Sequence, residues 1–101
     1  MRMLLEVSAN QEIFNAGVKD GSAGQKLGRI LEEIKPEAVY FSAVDGKRTA
    51  YIVVNIDNAS QISSIAEPFF LTFNASVKIH PVMTPEDLGN AGLDELGKKW
   101  G

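Results

Sequence analysis

The sequence predicts an α+β fold, a four-stranded antiparallel sheet with two helical segments on one face, and three observations carry that reading. Four short runs show the period-2 alternation of half-buried strands. Two segments between them show the 3.6-residue period of helices with one apolar stripe. An Asp45-Gly46 pair separates the second and third strand runs, the composition of a two-residue hairpin turn.

Met1–Ser8 is the first strand, with Met1, Met3, Leu5 and Val7 on alternate positions. The period then changes. Leu27, Ile30, Leu31 and Ile34 fall at i, i+3, i+4 and i+7, one stripe of a helix. Gly21 interrupts the segment, so the expectation is a short helix over Gln11–Val18 and a main helix over Ala23–Ile34. Ser22 and Gln25 are spaced as a capping box at its start, and Pro36 helps end it. Ala38–Val44 and Lys47–Ile56 are the hairpin strands. A type I′ turn at Asp45-Gly46 sets Tyr40 opposite Tyr51, Ser42 opposite Thr49, Val39 opposite Ile52 and Phe41 opposite Ala50.

Asp57 or Asn58 is placed to cap a second helix whose stripe is Ile62, Ile65, Ala66 and Phe69. Pro68 is expected to bend or break it, leaving Phe69–Phe73 as an apolar end. The fourth strand runs from Ala75 to Met83. Thr84-Pro85-Glu86-Asp87 then starts a helical tail over 84–101, broken near Gly92, with Leu93, Leu96 and Trp100 forming a stripe expected to dock on the body or on a partner. The whole is one domain, 1–101, in the order β-α-β-β-α-β. That is a ferredoxin-like arrangement, for which right-handed crossovers give the strand order 4-1-3-2.

Composition narrows the function. Of 101 residues, 45% are hydrophobic and 23% charged, which is ordinary globular composition and excludes wholesale disorder. There is no cysteine, so thiolate metal sites, disulfides and cysteine nucleophiles are excluded. A net charge of −3 offers no footprint for nucleic acid or an anionic membrane. The first residues lack the apolar stretch of a signal peptide, and no run approaches the ~18 apolar residues of a spanning helix. The expected location is cytoplasmic.

Helices cover one face of the sheet, taking Met3, Leu5, Val7, Val39, Phe41, Ile52, Val54, Val77 and Ile79. The other face receives Arg2, Leu4, Glu6, Ser8, Tyr40, Ser42, Thr49, Tyr51, Val53, Asn55, Lys78, His80 and Val82. That mixture is too apolar for a plain solvated surface and too polar for a core. Three fates suit it: pairing with a second copy of itself around a wet cavity, stacking nucleic-acid bases, or simply facing solvent. Base stacking is disfavoured: the two central strands offer Tyr51 as their one aromatic there, and the chain is acidic.

At this level the chain resembles the dimeric α+β barrel superfamily, in which two such sheets meet around a cavity. That superfamily includes muconolactone isomerase-like proteins, cofactor-free quinone-forming monooxygenases and heme-degrading monooxygenases. More narrowly, Asp20-Gly-Ser-Ala-Gly24, Ile34-Lys-Pro-Glu-Ala-Val-Tyr-Phe41, Ala66-Glu-Pro-Phe-Phe-Leu-Thr-Phe-Asn-Ala75 and Met83-Thr-Pro-Glu-Asp-Leu88 are similar to a small bacterial family. Gly92-Leu-Asp-Glu-Leu-Gly-Lys-Lys-Trp100 belongs with these stretches. Some members of that family carry a pantothenate-synthetase label, which the sequence argues against because a nucleotide-dependent ligase needs an ATP site that this chain cannot house. The Asn–Trp–His set of the heme-degrading branch does not carry over either: the one tryptophan is Trp100, in the tail, and the one histidine is His80, on a strand.

The resemblance implies a homodimer with a small-molecule cavity, acting as a cofactor-free isomerase or monooxygenase. The alternative is a non-catalytic structural or interaction protein whose sheet face serves only for dimerisation. The candidate catalytic residues are Glu6 and His80, and the candidate ligand-binding residues are Tyr40, Ser42, Tyr51, Asn55 and Lys78. Each has a structural reading beside the chemical one. Glu6 is a cavity carboxylate or half of an ion pair with Lys78 or Arg2; His80 is a general base or a sheet-end histidine; the tyrosines line a pocket or pack an interface. Arg48 reads as a solvated hairpin charge. No metal and no cofactor are expected.

Overall fold

The computed structural model describes all residues, Met1–Gly101. It contains β1 (Arg2–Ser8), α1 (Gln11–Asp20), α2 (Ala23–Ile34), β2 (Ala38–Val44), β3 (Lys47–Asn55), α3 (Gln61–Phe73), β4 (Ser76–Pro81), α4 (Pro85–Gly89) and α5 (Leu93–Trp100). The strands form one antiparallel sheet in the order β2-β3-β1-β4, the expected ferredoxin-like order read from the other edge.

The hairpin register follows from its turn. Asp45 and Gly46 both have positive φ, 53° and 75°, as a type I′ turn requires, and Tyr40 stands opposite Tyr51 with Val44 opposite Lys47. The core lies between the sheet and the helices. Leu5, Ile52, Val54 and Phe69 are its most completely buried large side chains, joined by Met3, Val7, Ile30, Ile56, Ile65 and Phe73. All the strand members come from the alternate positions assigned to the helix side, which confirms the two-faced reading of β1 and β3.

The helical layer departs from expectation in three places. α1 and α2 meet at a tight corner after Gly21, where a Cβ on Gly17 would come within 3.1 Å of the Ala23 Cβ, so the crossing distance is set by glycine. Because the chain enters α2 with Ser22 already in helical backbone geometry, the Ser22 hydroxyl makes no cap, and the capping box with Gln25 does not form. The Ser22 N–H instead donates to Asp20 Oδ1 at 2.8 Å. In α3, Ser60 rather than Asp57 or Asn58 is the capping position. The Gln61 side chain folds back to accept from the N–H groups of Asp57 and Asn58.

Pro68 lies inside α3 without breaking it. The ring removes one helical N–H, yet Ile65 and Ala66 before it and Phe69 and Phe73 after it are all buried on the same sheet, and that burial holds both halves in line. Phe70 and Leu71 point to solvent.

The third departure concerns what the helices leave bare. Phe41 lies on the helix side by alternation but is 62% exposed, because the helices do not extend over the edge strand β2. At the other edge, Val82 N–H donates to Arg2 O, and the chain then leaves the sheet into α4 and α5. Every residue from Pro85 to Gly101 is exposed. The radius of gyration is 16.9 Å and the longest dimension 59 Å. A compact chain of this length has a radius of gyration near 13 Å, so the tail projects as an arm and does not dock on its own body.

Candidate functional site

The strand registers align the free face into cross-strand rungs. The middle rung reads Tyr40, Tyr51, Glu6, Lys78 across β2, β3, β1 and β4. The rung on its hairpin side reads Ser42, Thr49, Ser8, Ser76, and the rung on the other side Ala38, Val53, Leu4, His80. The hairpin register was legible from the turn, but the pairing of β1 with β3 and β4 depends on long crossovers that carry no local signal. The serine–threonine rung was missed for that reason.

In the middle rung the Tyr51 hydroxyl donates to Glu6 Oε1 at 3.1 Å, and Lys78 Nζ lies 3.4 Å from Glu6 Oε2. Both oxygens of the half-buried carboxylate are thus engaged by neighbours on either side. Lys78 is largely solvated, so the ion pair adds little stability, and its effect is to fix the carboxylate's position. The hydrogen bond to Glu6 raises the Tyr51 hydroxyl above its ordinary value of 10.0, with desolvation and the Glu6 charge acting the same way.

A raised phenol retains its proton longer in the folded state, so this contribution to stability is complete below pH 10 and is lost as pH rises through the folded value. Replacement of Glu6 by Gln removes both the acceptor charge and the repulsion of the phenolate. Tyrosinate absorbance is expected to show the Tyr51 transition moving to lower pH in Glu6→Gln than in the parent. A tyrosinate titration unchanged by the substitution would contradict the Tyr51–Glu6 bond.

The other candidates take distinct places. Tyr40 sits beside Tyr51 on the same rung but is 69% exposed, on the edge strand. Ser42 faces Thr49 in the hydroxyl rung. Asn55 is drawn away from the middle rung: its amide donates to Glu37 Oε1, while Arg2 Nε holds Glu37 Oε2 at 3.0 Å. His80 is exposed and pairs across from Leu4, so Lys78, not His80, is the β4 residue that meets Glu6.

On the opposite side of the sheet lies a feature the sequence did not reveal. An open-sided cavity of about 230 Å³ is lined mainly by Val7, Phe14, Leu27, Phe41, Phe69 and Phe73, with Ser42, Arg48 and Thr49 among its remaining neighbours. Arg48 is not a solvated hairpin charge. Its Nη1 donates to Asn15 Oδ1 at 2.6 Å, and its guanidinium lies 5.1 Å from the Phe14 ring centroid, so α1 and β3 share it. The cavity exists because the helices stop short of β2. The sequence signal was an aromatic, Phe41, on an edge strand's helix face with no helix stripe left over to cover it. The structure gathers no cluster of three or more His, Asp or Glu able to hold a metal ion, and no helix is long and apolar enough to cross a membrane.

Comparison with protein-family models and with curated protein sequences finds no match. Among solved structures, the chain is similar to the 5-chloro-2-hydroxyhydroquinone dehydrochlorinase of Burkholderia phenoliruptrix, solved in complex with 2,5-dihydroxybenzoquinone. The TM-score is 0.62 at 12% identity, over 85% of this chain and 97% of that one. A de novo designed protein, Ferredog-Diesel, matches at TM-score 0.47 and 9% identity, over 80% and 85% of the two chains. At such identity the first likeness is one of fold. It establishes that the α+β arrangement described above is one on which another protein builds an enzyme for a small cyclic molecule.

Proposed function

We propose that this chain is a cytoplasmic homodimer whose free sheet faces meet and enclose a small-molecule site centred on Glu6. The observation that carries it is the neighbouring of two rungs. One bears a positioned carboxylate, a phenol and an ammonium; the next, Ser42, Thr49, Ser8 and Ser76, has no side chain larger than threonine. Thr49 is itself buried, with its hydroxyl donating to Lys47 O, so when a second sheet is laid on this face the taller middle and apolar rungs meet first and Ser42, Ser8 and Ser76 leave a polar slot beside Glu6.

Such a slot suits a planar ring with hydroxyl or carbonyl groups, the chemical class bound by the structural neighbour. In it, Glu6 is the base that removes a proton from an enolisable or phenolic ligand. Tyr51 donates a hydrogen bond to the developing oxyanion as Glu6 takes up the proton, and Tyr40, Ser42 and Lys78 orient the ring. His80, at the end of the adjacent rung, exchanges the proton with solvent, and Asn55 with Glu37 closes the far end. This is the first step of a cofactor-free isomerase or monooxygenase. The dimer-only reading has its own support, since Glu6 is already satisfied by Tyr51 and Lys78 without a ligand.

Amide NMR shifts on titration with 2,5-dihydroxybenzoquinone separate the two. Shifts centred on Glu6, Ser8, Thr49 and Tyr51, abolished in Glu6→Gln while sedimentation still gives about twice 11.0 kDa, are the expected result. A dimer with no shifts on this face would leave the interface as the whole function, and a monomer would remove the enclosed site.

A further inference from the structure

The uncovered strand and the unpartnered arm are complementary. Along β2 the helical layer is missing a member, and Phe41 and the apolar cavity are its empty seat. At the other edge of the sheet, α5 is a helix with an apolar stripe and no seat: Leu93, Leu96 and Trp100 are 56%, 44% and 77% exposed. An isolated helix of 8 residues is unstable in water, far below the roughly 12–15 residues at which even good sequences become marginal, so α5 needs a surface to persist.

Its own chain does not offer that surface. The arm leaves at the corner where Pro81 pairs with Met3, whereas the seat lies at the corner where Thr49 pairs with Ser8. Those corners are diagonal, about 14 Å apart across the strands and about 17 Å along them.

We propose that the arm α4–α5 of each copy lies along β2 of a second copy, seating Leu96 and Trp100 against Phe41 and closing the cavity beside Arg48. The inference rests on the sheet-face dimer proposed above, because a two-fold axis parallel to the strands lays the β4 edge of one copy over the β2 edge of the other. From there the arm passes round the β2 edge to the helix side of that strand. The five residues of α4 and eight of α5 span about 20 Å at the helical rise, close to the run of β2.

The area is also of the right order. Two aromatic side chains, Phe41 and Trp100, with three leucines from the arm bury about 500–600 Å² per seat, and two seats reach the ~1,000–1,200 Å² of a specific interface. The cavity would then be completed by the partner's Trp100, whose indole suits a guanidinium rim.

The chain has one tryptophan and no cysteine, so both tests read cleanly in it. Trp100 fluorescence is expected to be blue-shifted and largely protected from iodide at concentrations where the dimer forms, and to lose both properties on dilution. Phe41→Asp replaces an exposed side chain, so the fold should persist. It is expected to restore full quenching and to raise the dimer dissociation constant about tenfold or more.

Mixed Phe41→Cys and Leu96→Cys chains should form a covalent heterodimer on oxidation. A dimer whose Trp100 stays fully quenchable, with no such crosslink, overturns the arm exchange while leaving the sheet-face dimer standing. A monomer at all concentrations overturns both. Protection of Trp100 that does not change on dilution would mean the arm docks on its own chain and would equally overturn the proposal.

Discussion

Replacement of Phe69 by Ala is expected to cost about 3–5 kcal/mol of folding stability. Phe69 is 1% exposed, the largest of the fully buried side chains, and sits one residue after Pro68 in α3. It also lines the cavity beneath Phe41, so the substitution enlarges an existing void that the neighbouring ring, Phe73, is not free to fill. Against the 5–15 kcal/mol typical of a whole domain, the loss is a large fraction. Urea unfolding should show a lower midpoint with little change in slope. A cost below about 1 kcal/mol would mean that the α3–sheet contact is not the centre of the core.

The largest effect on assembly is expected from Glu6→Lys. In the parent the middle rung is close to neutral, with Glu6 flanked by Lys78. The substitution places two ammonium groups on adjacent strands at paired positions, which costs an isolated sheet about 0.2–1 kcal/mol. In a face-to-face dimer the same change occurs twice across a desolvated interface. Juxtaposed like charges there cost several kcal/mol, or a weakening of roughly a hundredfold or more. Sedimentation should therefore show monomer where the parent is dimeric, while the thermal midpoint moves by only a few degrees. A Glu6→Lys protein that remains a dimer with parental affinity would place the interface elsewhere.

What could be read from the sequence was governed by how local the determining interactions are. The Asp45-Gly46 turn decides its own conformation, and from it Tyr40 and Tyr51 follow as opposed residues on the free face. Thr84, Pro85 and Asp87 likewise assemble their capping box from adjacent positions: the Asp87 N–H donates to the Thr84 hydroxyl oxygen, and the Thr84 N–H donates to the Asp87 carboxylate, which with the adjacent Thr84 side chain holds that carboxyl below its ordinary value. Glu6 was correctly given Lys78 as one of its partners by adjacency of strands.

The failures were non-local. Ser22 lost its capping role to the angle at which α1 delivers the chain, an angle set by Gly17 against Ala23. Arg48 was read as solvated because its partners, Asn15 and Phe14, lie more than thirty residues away on another element. Pro68 was expected to disrupt a helix that burial on both sides of it preserves. The cavity was invisible because it is made by a helix that is not there.

The position of β1 in the sheet also determines when this molecule can become itself during synthesis. β1 is the first strand made, yet both its neighbours come late: β3 lies some forty residues downstream, and β4 closes the sheet only when Pro81 reaches Met3. The β2–β3 hairpin, by contrast, is complete as soon as Asn55 exists, and hairpins close in about 1–10 μs. Nascent chains that have reached Asn55 can therefore assemble β2-β3-β1, with the outer edge of β1 standing open until β4 is made. Sheets assembled from such distant segments fold slowly for their size. A ribosome that pauses shortly before β4 has emerged would hold exposed strand edges ready to pair with the wrong chain.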